Sequence, residues 1–153
     1  MIVEKKNSLK KNKIGHLKIK DYSFERAENF KYLGVILNEY NNNQIDLQER
    51  IKNANKTYFM LQFFLNKNIS KKLKLRLKDT IIDKVLTYAS ETWPLTKRDR
   101  KQLNVFERKM YRRILGPVYE NEKENWRILA NKEIYASVKK PTIIETIRLN
   151  RLR

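Results

Sequence analysis

The string TKRDRKQLNVFERKMYRRILGP, residues 96–117, decides the fold because it carries a complete set of helix signals. Thr96 followed by Asp99 is the pattern of a capping box, which satisfies free N–H groups at the start of a helix. Gly116 and Pro117 end the helix, since glycine is favoured just after a helix and proline cannot continue one. The apolar residues at helical spacing are Leu103, Phe106, Met110 and Ile114. The string therefore predicts one amphipathic helix with this face packed inward.

Two more helices are predicted upstream of this string. The first covers about residues 44–65 and starts after the signal formed by Asn43 and Asp46. Its apolar stripe is Leu47, Ile51, Ala54, Tyr58, Leu61 and Leu65. The second covers about residues 70–91, with one apolar side (Leu73, Leu77, Ile81, Val85 and Tyr88) that is widened by Leu75, Ile82, Leu86 and Ala89. Three helices with short links predict a small bundle over residues 43–117.

The segments on either side of the bundle are shorter. Residues 16–19 and 30–37 are rich in aromatic and β-branched residues, which predicts the two strands of one β-hairpin within residues 15–42. Residues 1–14 are lysine-rich and without periodicity, so we expect a flexible start. Residues 118–153 are interpreted as a linker with an acidic connector and short helices near 131–139 and from Pro141. The expected fold class is mainly α, with an N-terminal β-hairpin, a three-helix bundle and short C-terminal helices.

Charge gives the first indication of function. The 153 residues include 35 Lys and Arg against 17 Asp and Glu, a formal net charge of +18. Such an excess makes nucleic acid the expected partner. The sequence has no apolar run of the ~20 residues that span a bilayer and no apolar stretch of a signal peptide near its start. We therefore expect no membrane partner and an intracellular location, in the nucleus.

The sequence contains few of the residues and motifs that catalytic sites need. With no Cys and one His, disulfides, thiolate zinc sites and cysteine nucleophiles are excluded within this segment. Two-metal chemistry needs convergent carboxylates, yet the sequence has no Asp-Asp pair. Asp79 and Asp83 lie one helical turn apart, but Lys78 and Lys84 surround them, which favours an ordinary solvated face. His16 lacks a partner for base catalysis. We expect no catalysis and no cofactor in this chain.

Binding chemistry is better represented. On the third helix, the side away from the apolar face carries four cations suited to phosphate contact: Lys97, Lys101, Arg108 and Arg112. A denser cluster opens the second helix: Lys71, Lys72, Lys74, Arg76 and Lys78. Cations at a helix start oppose the helix dipole, and a bound anion would offset that cost. Both sets are therefore candidate nucleic-acid contacts.

Three strings in a fixed order carry a family resemblance: FKYLG (residues 30–34), YASETWPLT (88–96) and FERKMYRRILGP (106–117). They resemble the reverse transcriptase of non-LTR retrotransposons, the jockey or LINE-like class, from just past the palm's aspartate motif through the thumb into the linker. The Y-x-x-E-x-W pattern is matched by Tyr88, Glu91 and Trp93, and a later W-R-I string by residues 126–128. Ala89 and Ser90 depart from the Gly and Cys that are common in the family.

The resemblance implies a palm-edge hairpin at residues 15–42 that approaches the primer strand, with Lys31 and Tyr32 as contacts, and a thumb at residues 43–117. It implies that the catalytic aspartates and their Mg²⁺ belong to palm sequence upstream, so that both ends of this chain look cut. The implied partners are an RNA/DNA template–primer duplex and the parent's missing palm and fingers domains. The chain is interpreted as a nucleic-acid-binding fragment of an RNA-directed DNA polymerase, without polymerase activity of its own.

Two alternatives remain open. The first is a stand-alone basic nucleic-acid-binding module, and the second is a helical protein-interaction unit that uses the apolar stripe from Leu47 to Leu65 as a docking surface. For the Y-x-x-E-x-W residues, we expect Trp93 to be a buried anchor at a helix end. Glu91 is expected to pair with a nearby arginine rather than act as an acid catalyst.

Overall fold

The computed structural model describes residues 16–61 and 64–152, and the chain divides into two compact units, Met1–Asn42 and Asn43–Arg153. The basic start expected at residues 1–14 lies outside the described residues. The described fold is mainly helical, with short two-stranded sheets, which confirms the expected class. Among the described helices, none combines the length and the apolarity needed to cross a membrane.

The first unit contains two antiparallel hairpins. Strand β1 (His16–Ile19) pairs with β2 (Tyr22–Glu25), and β3 (Asn29–Tyr32) pairs with β4 (Val35–Asn38). The prediction of a single hairpin, with residues 16–19 and 30–37 as its strands, is therefore wrong. The chain reverses inside the second run because Leu33 and Gly34 both adopt positive φ, of 45° and 84°, as a tight two-residue turn requires.

The second unit contains the helices, joined by short 3₁₀ and π segments. They are α1 (Asn43–Met60), α2 (Lys71–Leu77), α3 (Asp83–Thr87), α4 (Lys97–Leu115), α5 (Asn131–Val138) and α6 (Ile143–Asn150). A π-helical segment, Lys78–Ile82, joins α2 to α3, and a third hairpin, β5 (Val118–Glu120) with β6 (Asn125–Arg127), follows α4. Residues 118–152 belong to the same compact unit as the helices before them.

Helix α4 forms as the sequence predicts. Thr96 accepts a hydrogen bond from the Asp99 N–H at 3.2 Å, and the Asp99 carboxylate accepts one from the Thr96 N–H at 2.9 Å. Gly116 ends the helix with a φ of +75°. The four predicted core residues of this helix, Leu103, Phe106, Met110 and Ile114, are all buried. They pack with Leu47, Ala54 and Tyr58 of α1 and with Ile143, Ile144 and Ile147 of α6.

The second predicted helix differs from a regular one. The π segment adds one residue to a turn, so the most deeply buried residues after it lie at the widened edge of the predicted apolar face rather than along its main line. Ile82 and Leu86 are fully buried, whereas Leu73 and Tyr88, expected on the inner side, are exposed. Helix α1 ends at Met60, and Leu65 from its predicted stripe is also exposed.

The region after α4 contains more structure than predicted. Residues 119–124, expected to be an acidic connector, contribute to the β5–β6 hairpin. Helices α5 and α6 confirm the two short helices. Thr142 rather than Pro141 opens α6, because the Thr142 hydroxyl accepts from the Glu145 N–H at 3.2 Å and Glu145 accepts from the Thr142 N–H at 2.7 Å.

Candidate nucleic-acid interface

A surface groove runs along helix α4. One part lies between α1 and α4, has a volume of about 480 Å³, and is lined by Gln48, Ile51, Asn55, Arg98, Lys101, Gln102, Val105, Phe106 and Lys109. The second part, also about 480 Å³, lies at the end of α4 and is lined by Val105, Lys109, Arg112, Arg113, Gly116, Pro117 and Ile128. Val105 and Lys109 line both parts, so we treat the two parts as one feature, the α4 groove.

The α4 groove is cationic. Its charged residues are Arg98, Lys101, Lys109, Arg112 and Arg113, and the described residues that line it include no carboxylate. Val105 is 50 % exposed and lies between two lysines of the same helix face. An apolar floor with cations on its edges suits a ligand that presents both negative charge and apolar surface.

Two arginines of the groove are held in place by neighbouring groups. Arg113 lies over the Phe59 ring, 4.8 Å from its centroid, and over the Tyr58 ring at 5.4 Å. Burial raises the pKa of Tyr58, and the positive charge of Arg113 opposes that rise. Arg112 donates from Nε to the Leu129 carbonyl at 3.2 Å and from Nη2 to Asn131 Oδ1 at 2.7 Å. Arg112 therefore also attaches the segment after β6 to α4.

The structure brings together only part of the predicted cationic side of α4. Lys101 and Arg112 line the α4 groove, whereas Lys97 is exposed on the first turn, outside the groove lining. Arg108 is half-buried and interacts with the Tyr135 hydroxyl. Arg98, Lys109 and Arg113 also line the groove, and the spacing of cations along α4 does not predict them. One signal for Lys109 was available in the sequence. Lys101, Val105 and Lys109 are spaced by four residues, so they lie on one side of the helix, which is the side of the groove.

The other predicted contacts are not among the residues that line the α4 groove. Lys71 and Lys72 are exposed on the first turn of α2, and Lys74 is half-buried there. Lys31 and Tyr32 belong to the separate hairpin unit, where both are exposed on β3 and the Tyr32 ring stacks with Phe30 at 6.5 Å between centroids.

A buried ionic cluster, the Lys78 cluster, lies behind α4 at the π segment. Lys78 is fully buried, and its Nζ lies 2.7 Å from Asp83 Oδ2 and 4.3 Å from the centroid of the Tyr111 ring. Asp79 forms an ion pair with Lys140. Asp79 and Asp83, the carboxylates considered as metal ligands, are thus neutralised by lysines. Because Lys78 is buried, the predictions of an ordinary solvated face here and of Lys78 as a nucleic-acid contact are wrong. No set of three potential metal ligands converges within the described residues.

Glu107 is the third carboxylate near Lys78, and it is buried on α4. It accepts hydrogen bonds from the Ile143 N–H at 3.0 Å and from the Tyr135 hydroxyl at 3.2 Å. Burial raises the pKa of Glu107, against the lowering effect of Lys78 and these hydrogen bonds. Burial likewise raises the pKa of Asp83 and that of Tyr111. Glu107 therefore connects α4 to both C-terminal helices.

The raised pKa of Glu107 predicts a pH effect on stability. The folded state binds a proton at higher pH than the unfolded chain, so this contribution is complete below the ordinary value of 4.5 and is lost as pH rises through the folded pKa. Glu107→Gln removes the ionisation while keeping an acceptor for Ile143. Urea denaturation of both proteins from pH 4 to pH 7 should show the variant gaining stability relative to the wild type as pH rises. A stability difference independent of pH would contradict this assignment.

Trp93 confirms the prediction of a buried anchor, with 4 % of its surface exposed. Its Nε1–H donates to Asp46 Oδ2 at 3.2 Å, and the same oxygen accepts from Arg50 Nε at 2.8 Å. The Arg50 guanidinium also covers the Trp93 ring, 5.0 Å from its centroid, and donates to the Tyr88 carbonyl.

Glu91 differs from its expected role, because Arg151 donates to its carbonyl oxygen at 3.0 Å rather than to its carboxylate. Residues 88–93 thus connect α1, through Arg50, to Arg151 at the end of α6.

Comparisons of the chain with protein-family models, with curated proteins and with solved structures found no match.

Proposed function

We propose that this chain binds nucleic acid through the α4 groove, by contacts to the sugar–phosphate backbone that do not depend on base sequence. The observation that carries the proposal is the cationic lining of the groove, which contains arginines and lysines and no carboxylate among its described residues. The formal net charge of +18 supplies a long-range attraction for the same ligand. Phosphate contacts of this kind position a protein on its ligand without selecting a sequence.

The dimensions of the groove suit several phosphates. Arg98 and Arg113, at its two ends, are 15 residues apart on α4, which corresponds to about 22 Å at 1.5 Å per residue. A duplex rises by about 3.4 Å per base pair, so this length spans about six base pairs, over which each strand winds by more than half a turn. The charged groups of the groove could therefore contact those phosphates that face α4 over about six base pairs.

The finer proposal is that the ligand is an RNA/DNA template–primer duplex. The chain would then correspond to the palm-edge hairpin and the three-helix thumb of a non-LTR retrotransposon reverse transcriptase. Support comes from the three strings in family order and from a mainly helical unit that follows N-terminal hairpins. Nucleotidyl transfer would belong to palm aspartates and their Mg²⁺. In this proposal the chain grips the duplex and does not polymerise.

The α4 groove suits one of the two alternative functions, a stand-alone basic module, better than the other, a protein-interaction unit. A stand-alone basic module would use the same groove and the same phosphate contacts. A protein-interaction unit would need the α1 stripe as an open surface, yet Leu47, Ala54 and Tyr58 are buried in the core of their own unit. Nucleic-acid binding is therefore the function that the surface supports best.

The groove predicts a specific salt dependence. We expect the triple variant Arg98→Gln, Lys101→Gln and Lys109→Gln to bind a short RNA/DNA duplex with a weaker dependence on salt. Each lost phosphate contact reduces the slope of log affinity against log salt by about 0.9, so the slope should fall by about 2 to 3. Fluorescence anisotropy titrations over a salt series measure it.

A matched control variant also loses three positive charges, but at lysines that do not line the groove. Lys56, Lys84 and Lys132 are exposed lysines on α1, α3 and α5, and their triple change to Gln should leave the slope within about one contact of the wild type. Equal slopes for the two triple variants would remove the α4 groove as the binding surface. Failure of the wild-type chain to bind at low salt would remove the function itself.

A further inference from the structure

The β5–β6 hairpin presents an exposed aromatic pair. Tyr119 and Trp126 are directly opposite each other across the two strands, with their ring centroids 5.3 Å apart in an edge-to-face arrangement. Trp126 is 64 % exposed and Tyr119 is 44 % exposed. Aromatic rings of this size usually contribute to a core or an interface, because each can bury a large apolar area.

The pair stands at one end of the α4 groove. Gly116 and Pro117, which line that end, lead directly into β5, and Ile128, which also lines it, comes directly after β6. Trp126 is two residues before Ile128, a distance of about 7 Å in an extended chain. The aromatic pair is therefore connected at both of its strands to residues of the cationic groove.

The hairpin is fixed in position by arginines. Arg127, on the opposite face to Trp126, forms a paired contact with the Glu133 carboxylate of α5, at 2.6 and 2.8 Å. These hydrogen bonds, with one from the Ala130 N–H, lower the pKa of Glu133 to about 2. Arg112 holds Leu129 and Asn131 from the other side. These hydrogen bonds hold the hairpin that carries the two rings, so less conformational entropy is lost when a ligand binds to the rings.

We propose that Trp126, supported by Tyr119, stacks an unpaired nucleobase of a strand whose phosphates follow the α4 groove. Proteins that bind single strands combine these two elements, a cationic path for the backbone and aromatic faces for the bases. The inference rests on the proposed function of the groove and adds a single-stranded segment to its ligand. Stacking tolerates any base, because every base has a π face, so it requires no sequence preference.

The test compares two oligomers that differ only in their bases. One is a short thymidine oligomer, and the other is an abasic oligomer of the same length with the same phosphates. The wild-type chain should bind the thymidine oligomer about 10-fold more tightly, within the range that stacking gives for one base. Trp126→Phe, which keeps an aromatic face, should retain most of this preference. Trp126→Leu, which keeps an apolar contact to Tyr119, should lose it while binding the abasic oligomer as before.

The possible failures are distinguishable. Equal wild-type affinity for the two oligomers would overturn the stacking proposal and leave the phosphate contacts of the groove intact. If Trp126→Leu weakened the binding of both oligomers equally, the stacking proposal would also be wrong, because Trp126 would then affect binding by maintaining the groove rather than by contacting a base. No binding of either oligomer at low salt would overturn the stacking proposal alone if the RNA/DNA duplex still binds, and would remove both proposals if the duplex does not bind either. Trp93 is buried and is the tryptophan that remains in both Trp126 variants, so its fluorescence reports that the core of each variant is folded.

Discussion

Replacing Lys78 by Met is expected to lower the free energy of unfolding by about 3–5 kcal/mol, the usual cost of removing one partner from a buried ion pair. Lys78 is fully buried between Asp83 and the Tyr111 ring. Without its ammonium group, the half-buried Asp83 carboxylate and the buried Glu107 carboxylate lose their nearby positive charge. Methionine fills much of the same volume, so the loss reflects charge rather than an empty space. Urea denaturation followed by circular dichroism measures it.

Two further variants identify the cause. Lys84→Met makes the same chemical change at an exposed position on α3 and should cost less than about 0.5 kcal/mol. Adding Asp83→Asn to Lys78→Met removes the unpaired carboxylate and should restore part of the lost stability. If the double variant is less stable than Lys78→Met alone, desolvated charge is not the cause.

Trp93→Ala is expected to cost about 3–5 kcal/mol, as large-to-small changes of buried aromatic residues do. The variant leaves a cavity in the core of the helical unit and removes the hydrogen bond to Asp46 and the ring that Arg50 covers. Trp126→Ala provides a matched control, because the same atoms are removed from an exposed ring. It should cost less than about 1 kcal/mol, the scale of a cross-strand pair. Similar losses for the two variants would contradict the assignment of Trp93 as the anchor.

Helix α4 could be predicted because its determinants are local. The Thr96 cap, the Gly116 stop and the inward residues all lie within one segment, and no distant contact is needed to interpret them. The same reasoning located the start of α1, both ends of α5 and the start of α6 to within two residues, whereas it placed the end of α1 about five residues too late. Sequence patterns were therefore sufficient wherever a helix has its own start signal and a regular period.

Other elements could not be predicted, for physical reasons that differ. The π segment changes the helical period without a marker in the sequence, so the pattern places Ile82 and Leu86 only at the edge of the apolar face, although both are fully buried. The β5–β6 strands are three residues each, too short for alternation to be seen. The turn at Leu33 and Gly34 lacks the usual Asn-Gly signal.

The candidate site was found only in part. Charge and spacing selected the helix that lines the groove and two of the groove residues, Lys101 and Arg112. They could not select Arg98, Lys109 and Arg113, because the orientation of α4 is set by the packing of α1 and the C-terminal segment against it. A cationic helix has several charged sides, and only the tertiary structure distinguishes them.

The π-helical segment also makes this part of the chain tolerant of a change in length. A π turn holds one residue more than an α turn, and the flanking helices keep the phase that they would have without it. Loss of the exposed Thr80 would let α2 and α3 merge into one regular helix with their present inner sides still aligned. The same deletion within α4 would turn every later residue by about 100° and carry Met110 and Ile114 away from the core.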